Sequence, residues 1–129
     1  MKNQYLLIAE NIIYRNTKLT CINIFDHFVA VKLPAEFTFD MVVICGPGWD
    51  AGKHEITMNA VTDGEEQVEI GKIEFEIPNE NFVYNAIAHN LKLGISDEVK
   101  DITFIVNEGD EEILRRTYSI NTILSAVTA

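Results

Sequence analysis

An antiparallel β-sandwich of about eight strands is the fold this sequence predicts, on three observations. Apolar residues recur at every second position in several segments, and no helical period is sustained. Turn signals punctuate the chain at intervals of roughly eight to twelve residues. A length of 129 residues without an internal linker suits one domain, 1–129. A chain of this size buries roughly two-thirds of its unfolded surface and needs no staples.

Taken in order, Tyr5 to Ile13 is apolar enough for a first strand, and Asn16-Thr17 turns the chain into a second from Leu19 to Phe28. Pro34 ends the next connection, and Phe37 to Cys45 forms a further strand. Gly46 to Gly52 is a loop, because three glycines and a proline in seven residues cannot continue a ladder. The clearest alternation follows in His54 to Thr62, where Ile56, Met58 and Ala60 share one face. Asp63-Gly64 is a hairpin signal, since both turn positions tolerate positive φ. The return strand, Gln67 to Ile77, starts with Val68 and Ile70 apolar and changes parity to Ile73, Phe75 and Ile77. A bulge or kink is therefore expected at Gly71-Lys72; without it half the strand would turn its apolar side chains to water. Asn79 to Leu93 reads either as a strand or as a crossover between sheets. Asp101 to Asn107 alternates again, and the acidic turn Glu108 to Glu111 leads into Glu112 to Ile120. The apolar tail Asn121 to Ala129 reads as a surface terminus, or as a segment covering a sheet edge or reaching a neighbouring subunit.

Composition narrows function mainly by exclusion. Ten basic residues stand against twenty acids, a net charge of −10, and the only adjacent basic pair is Arg115–Arg116. Phosphate backbones and anionic membranes repel such a surface, so neither nucleic acid nor membrane is an expected partner. The apolar run Tyr5 to Ala9 is cut short by Glu10 and Asn11, too early for a signal-peptide core, and no stretch is long enough to span a bilayer. A cytoplasmic location is expected. Cys21 and Cys45 belong to no CxxC motif and lie in apolar strands, which predicts two reduced thiols packed as small hydrophobes.

Three stretches together resemble a known group of sequences. They are Tyr5-Leu6-Leu7-Ile8-Ala9-Glu10 through Lys18-Leu19 to Ile24-Phe25-Asp26, then Leu33-Pro34-Ala35, then Gly52-Lys53-His54-Glu55-Ile56 through Val61-Thr62-Asp63-Gly64. The pattern resembles an uncharacterised family of small bacterial proteins classed as a domain of unknown function, and it spans about Tyr5 to Ile120. The resemblance implies an Ig-like or C2-like sandwich and no activity. The chain departs from the pattern at Asn23, where a glycine is expected, and at Val99-Lys100-Asp101, which replaces a Gly-x-Tyr opening the penultimate strand.

Each candidate site has a plainer reading beside it. Asp26-His27 pairs a carboxylate with an imidazole, yet neighbouring strand residues point to opposite faces and are not expected to touch. His54, His89, Cys21 and Cys45 lack metal-ligand spacing, so no zinc site is expected. Asp63, Glu65 and Glu66 crowd one turn, and Glu108, Asp110, Glu111 and Glu112 another. Asp63, Glu65, Glu108 and Asp110 are calcium candidates if the two turns share an end of the sandwich, and otherwise are solvated turns. Trp49, in the Gly-rich loop, is either a lid on the core or an anchor for a sugar or a protein. Glu69, Glu74 and Glu76 give one strand a negative face, either solvated or matched to a basic partner. No nucleophile elbow, phosphate loop or dinucleotide fingerprint is present. An enzyme would need a concave pocket holding His27, His54 or His89 beside a carboxylate. The expected function is thus a non-catalytic protein-interaction or structural module, self-association included, without a cofactor. The alternative is a small-ligand, carbohydrate or calcium-binding module using end loops.

Overall fold

The computed structural model of the chain describes residues 2–63, 66–97 and 99–123. Its nine strands among these residues are β1 (Gln4–Arg15), β2 (Lys18–Ile24), β3 (Phe28–Ala30), β4 (Ala35–Cys45), β5 (Gly52–Thr62), β6 (Val68–Ile77), β7 (Tyr84–Ile95), β8 (Asp101–Glu108) and β9 (Glu111–Thr122). They form two sheets, ordered β2-β1-β4-β7 and β3-β9-β8-β5-β6, packed face to face as a β-sandwich. No helix among the described residues is long and apolar enough to cross a membrane.

The turns follow from their residues. Asn16 and Thr17 both have positive φ, 52° and 61°, so β1 and β2 are joined by a two-residue hairpin whose twist matches its strands. The expected bulge in β6 is present one residue early: Met58 pairs with Gly71 and Asn59 with Glu69, leaving Ile70 as the extra residue. A Cβ at Gly71 would stand 2.8 Å from the Met58 methyl, so any other residue there has to displace the end of that side chain. At Gly46, φ is +125° and a Cβ would lie 2.3 Å from the Phe82 carbonyl oxygen, so only glycine fits.

Two expected elements differ. The segment read as one strand from Leu19 to Phe28 is two: β2 ends at Ile24, Phe25 to His27 bend, and β3 begins at Phe28 in the other sheet. A strand passing between layers must break its ladder. Asn23, at φ 56°, marks the approach to that break and occupies a conformation natural to glycine. Asn79 to Leu93 holds both of its readings: residues up to 83 cross between sheets, and β7 starts at Tyr84. At the C-terminus β9 runs on through Asn121 and Thr122, because β3 pairs alongside in parallel, Phe28 with Ile120 and Ala30 with Thr122. The rest of the tail reading, Leu124 to Ala129, lies outside the described residues.

The core between the sheets is centred on Phe28, ringed by Phe25, Phe37, Phe39, Phe104 and Tyr118 at centroid distances of 5.0 to 6.2 Å. A second cluster lies on the outer face of the four-stranded sheet. There Ala9, Ile12 and Val42 are fully buried beneath Leu7, Leu19, Cys21, Ile44 and Ile87. β1 pairs with β4 only from Gln4 to Ala9, then keeps its pairing with β2 and swings across the outer face toward β7. The β1–β2 hairpin is therefore an arm that folds back over its own sheet. Apolar residues on both faces of β1 and β4 follow from it: one face serves the core and the other the arm.

Candidate functional site

One pole of the sandwich is closed by Trp49. It is 0% exposed, its Nε1–H donates to the Asn3 carbonyl at 2.8 Å, and Lys2 Nζ stands 4.2 Å above its ring. Its edge meets His54 at 5.2 Å and Phe75 at 5.7 Å, and Phe75 stacks on Tyr84 at 4.5 Å, tying β6 to β7. Trp49 is the lid, and its reading as a ligand or partner anchor is corrected: a ring with no exposed surface offers nothing to stack on. The loop-end carbohydrate reading loses its aromatic with it.

Beside Trp49, Glu108 joins two cations. It pairs with Lys2, and His54 Nδ1 lies 2.5 Å from its Oε2. His54 Nε2 is 2.7 Å from the Asp50 carbonyl oxygen. Both ring nitrogens thus face oxygens, an arrangement that favours the doubly protonated ring. Burial works against that charge, but the Glu108 carboxylate and the Asp50 carbonyl outweigh it and raise the His54 pKa. Glu108 answers in kind: burial would raise its pKa, and its bonds to His54 and Lys2 bring it below the usual range. With both nitrogens engaged, the ring ties Glu108 of β8 to the Asp50 carbonyl in the loop before β5, and the cluster acts as a clasp between the two segments. The neighbouring Cys45 thiol is pushed up to about 12, chiefly by burial, and is inert as a nucleophile. Cys21 and Cys45 are both free, as expected.

Glu74 and Glu76 line a depression of about 500 Å³ with Lys53, His54, Glu55 and Phe75. Register sets their partners: Glu76 opposes Lys53, while Glu74 opposes Glu55, whose carboxylate also meets Lys72 at 3.5 Å. A shared hydrogen bond with Glu55 raises the Glu74 pKa. Glu69 stands beyond the Ile70 bulge, opposite Asn59, and does not line the depression.

The acidic turns lie at opposite ends of the five-stranded sheet, since β5 pairs with β8 from Thr62–Ile102 at one end to Ile56–Glu108 at the other. Asp63 and Glu108 therefore belong to no shared calcium site. Asp63 accepts the Lys100 and Asp101 amides at 2.9 and 3.1 Å, bonds that lower its pKa. Glu112 is engaged by Arg115 through two bonds, and Asp110 is exposed in the turn after β8. Glu65 lies outside the described residues. Among the described residues no group of three or more His, Cys, Asp or Glu is placed to hold a metal ion.

Asp26 and His27 do touch, Oδ1 to Nδ1 at 2.5 Å, contrary to the expectation from strand alternation. The alternation fails because both sit in the bend between β2 and β3. They line a depression of about 340 Å³ with Glu10, Asn23, Phe25 and Phe37. His89 likewise meets Asp40 at 3.0 Å, so each histidine has a carboxylate beside it. The carboxylate–histidine condition for an enzyme is met in form at His27 and His54, yet His27 and Asp26 are exposed to bulk water and the His54 ring is saturated.

Asp40 was not singled out by the sequence reading. It is buried where β1 leaves β4 and where β7, still paired, bulges opposite it: its carboxylate accepts the Ile12 amide from β1 and the Asn90 amide from β7, each at 2.9 Å. Burial pushes its pKa up, but those two amides and His89 bring it below the usual range. A lone aspartate inside the apolar run Phe37 to Cys45 was the available signal.

What remains on the surface is divided by flank. β1 meets β9 on one flank and β6 meets β7 on the other, so β2 and β3 are the sheet edges of the first flank. That flank displays Ile22, Ile24, Val29 and Val31, the last 73% exposed. From Asn11 to Ala35 the chain carries Arg15, Lys18 and Lys32 against Asp26 alone, so nineteen of the twenty acids lie elsewhere. No protein-family profile matches the chain, and no curated protein sequence is significantly similar to it.

Proposed function

We propose that this domain is a non-catalytic protein-interaction module working through the β2–β3 flank. The observation that carries the reading is the exposure of Ile22, Ile24 and Val29 on two edge strands and of Val31 in the bend after β3. Clustered exposed aliphatics beside unpaired strand edges are a docking surface or an aggregation hazard, and folded proteins usually guard such edges with charge. Here the opposite flank carries the guard, in Glu69, Lys72, Glu74 and Glu76 of β6. The state of the titratable groups supports the non-catalytic part. The clasp at His54, the plug at Asp40 and the cap at Asp63 each spend their polar atoms on holding the fold.

The test is a photoreactive amino acid placed at Val31, with Thr117 on the outer sheet face as the control position. Crosslinking in cells that is frequent at position 31 and rare at 117, and that is lost when Ile22 and Ile24 are changed to serine, is the expected result. Equal crosslinking at both positions, or none, overturns the reading.

A further inference from the structure

We infer that the partner of the β2–β3 flank is a protein segment presenting one basic side chain, lysine or arginine, between aliphatic neighbours, with its cation seated in the depression at the bend from β2 to β3. The inference rests on the interaction-module reading and adds the chemistry of the partner.

The make-up of the depression is the first argument. Ile24, Phe25 and Val29 give it apolar walls, and Glu10 and Asp26 bring carboxylates to the same hollow of about 340 Å³. A lysine or arginine needs both surroundings, since its alkyl stem packs on apolar surface while its head seeks acceptors. The hollow is also fixed in place. The Phe25 amide donates to the Ile8 carbonyl at 2.8 Å, and the Asn23 side-chain amide donates to Glu10 Oε2 at 2.9 Å. The bend is thus tied to β1 before a partner arrives, and little order is lost on docking.

Unanswered charge is the second. Elsewhere a base of the same chain meets the carboxylate: Lys72 at Glu55, Lys2 at Glu108 and Arg115 at Glu112. No lysine or arginine lines this hollow. Arg15 and Lys18 oppose one another at the tip of the arm, about 16 Å along β1 from Glu10. Asn23 takes one oxygen of Glu10 and His27 one of Asp26, and the other oxygen of each has no partner among the described residues. These acceptors lie beside the exposed Ile24 and Val29, and they decide between occupants. A wholly apolar partner would bury both carboxylates without a bond. A second copy docked by the same flank would set Glu10 and Asp26 against their own kind. A basic residue flanked by aliphatics complements both kinds of surface at once.

The experiment titrates the purified, isotope-labelled full chain with an acetylated and amidated isoleucine–arginine–valine tripeptide, followed by amide shifts in NMR. The control peptide carries citrulline in place of arginine, which keeps the shape and loses the charge. The variant is Glu10→Gln with Asp26→Asn. Both positions are exposed, each new amide keeps an oxygen for Asn23 or His27, and a thermal melt shows that the variant is folded. The expected result is a set of shifts centred on residues 23–29, with affinity lower by about tenfold or more for the citrulline peptide and for the variant. Shifts centred on the acidic face of β6, equal affinity for the two peptides, or a variant that binds like the wild type each overturn the inference. So does the absence of any shift at millimolar peptide. Photocrosslinking at Val31 keeps the two readings apart: capture that is lost in Glu10→Gln with Asp26→Asn supports a basic partner. Capture that persists unchanged overturns it and leaves the interaction module standing.

Discussion

Asp40→Ala is the substitution that most directly tests the arm. The Asp40 side chain is 5% exposed and binds the amides of Ile12 and Asn90 and the ring of His89. Hydrogen bonds to a charged acceptor contribute about 1.5–3 kcal/mol each, and an orphaned buried amide costs about 1–3 kcal/mol. Ile12 is fully buried, so its amide cannot turn to water, whereas Asn90 is exposed and its amide can. The two together give an expected loss of about 3–5 kcal/mol, a large share of the roughly 5–15 kcal/mol that holds a domain folded. Asp40→Asn keeps one acceptor and turns an amide donor toward a donor, so its loss should be smaller, about 2 kcal/mol. Urea unfolding at pH 7 measures both, and amide exchange at Ile12 shows whether the arm has lifted. Acid dependence gives a second readout. The folded pKa of Asp40 lies below its unfolded value, so its contribution is present above pH ~4 and is lost as pH falls through the folded pKa. Asp40→Asn should flatten that acid limb. An alanine variant within about 0.5 kcal/mol of wild type, with Ile12 still protected, would refute the reasoning.

Three further outcomes follow from single residues. Thr17 is β-branched yet sits at φ 61°, so Thr17→Gly should raise stability by about 1 kcal/mol; a lower melting temperature would count against the type of turn assigned here. Tyr118 is buried beside Arg116, and its hydroxyl has no partner within hydrogen-bond geometry among the described residues, so Tyr118→Phe should be neutral or stabilising by up to about 1–2 kcal/mol in urea unfolding, and a loss above about 1 kcal/mol would reveal a bond to the hydroxyl. The His54 pKa is raised in the fold, so its share of stability is full below pH ~6.5 and fades as pH rises through the folded value. Glu108→Gln should bring the His54 titration down toward pH ~6.5 by NMR and remove that alkaline loss, while an unshifted titration would mean that Glu108 does not hold the proton.

The fold was legible because alternation and turn chemistry are local. Ile56, Met58 and Ala60 face the core as their spacing requires, and the parity change in β6 located its bulge to within one residue. The break within Leu19 to Phe28 was not legible, because the residues there stay β-prone while the chain changes sheets. Only a left-handed Asn23 and the bend at Asp26-His27 mark it. The same bend explains why Asp26 and His27 meet. Of the candidate residues, Glu74 and Glu76 come together on one strand face, since period two places them there regardless of tertiary structure. The partners of Trp49 and Glu108 were not legible for the opposite reason: Asn3, Lys2 and His54 arrive from distant segments. Asp40 was hidden by its neighbours, its partners on β1 and β7 being set by long-range pairing.

The arm also decides which sheet faces stay open. A sheet whose strands read apolar on both faces, as Leu6 to Ala9 and Met41 to Cys45 do, implies a covering layer on each face. Here the β1–β2 hairpin supplies that layer itself, leaving Ala9, Ile12 and Val42 with no exposed surface. The outer face of the four-stranded sheet is thereby withdrawn as a docking surface. The outer face of the five-stranded sheet carries the charged and hydroxyl residues Glu55, Thr57, Thr103, Arg115 and Thr117, as a solvated face does. The two flanks differ in kind: β6 is bulged and charged, while β2 carries one charged residue, Lys18, at its start. In pairing order β2 ends its sheet, ahead of the bend that hands the chain to β3. The device that buries one apolar face thus presents the apolar edge beside it.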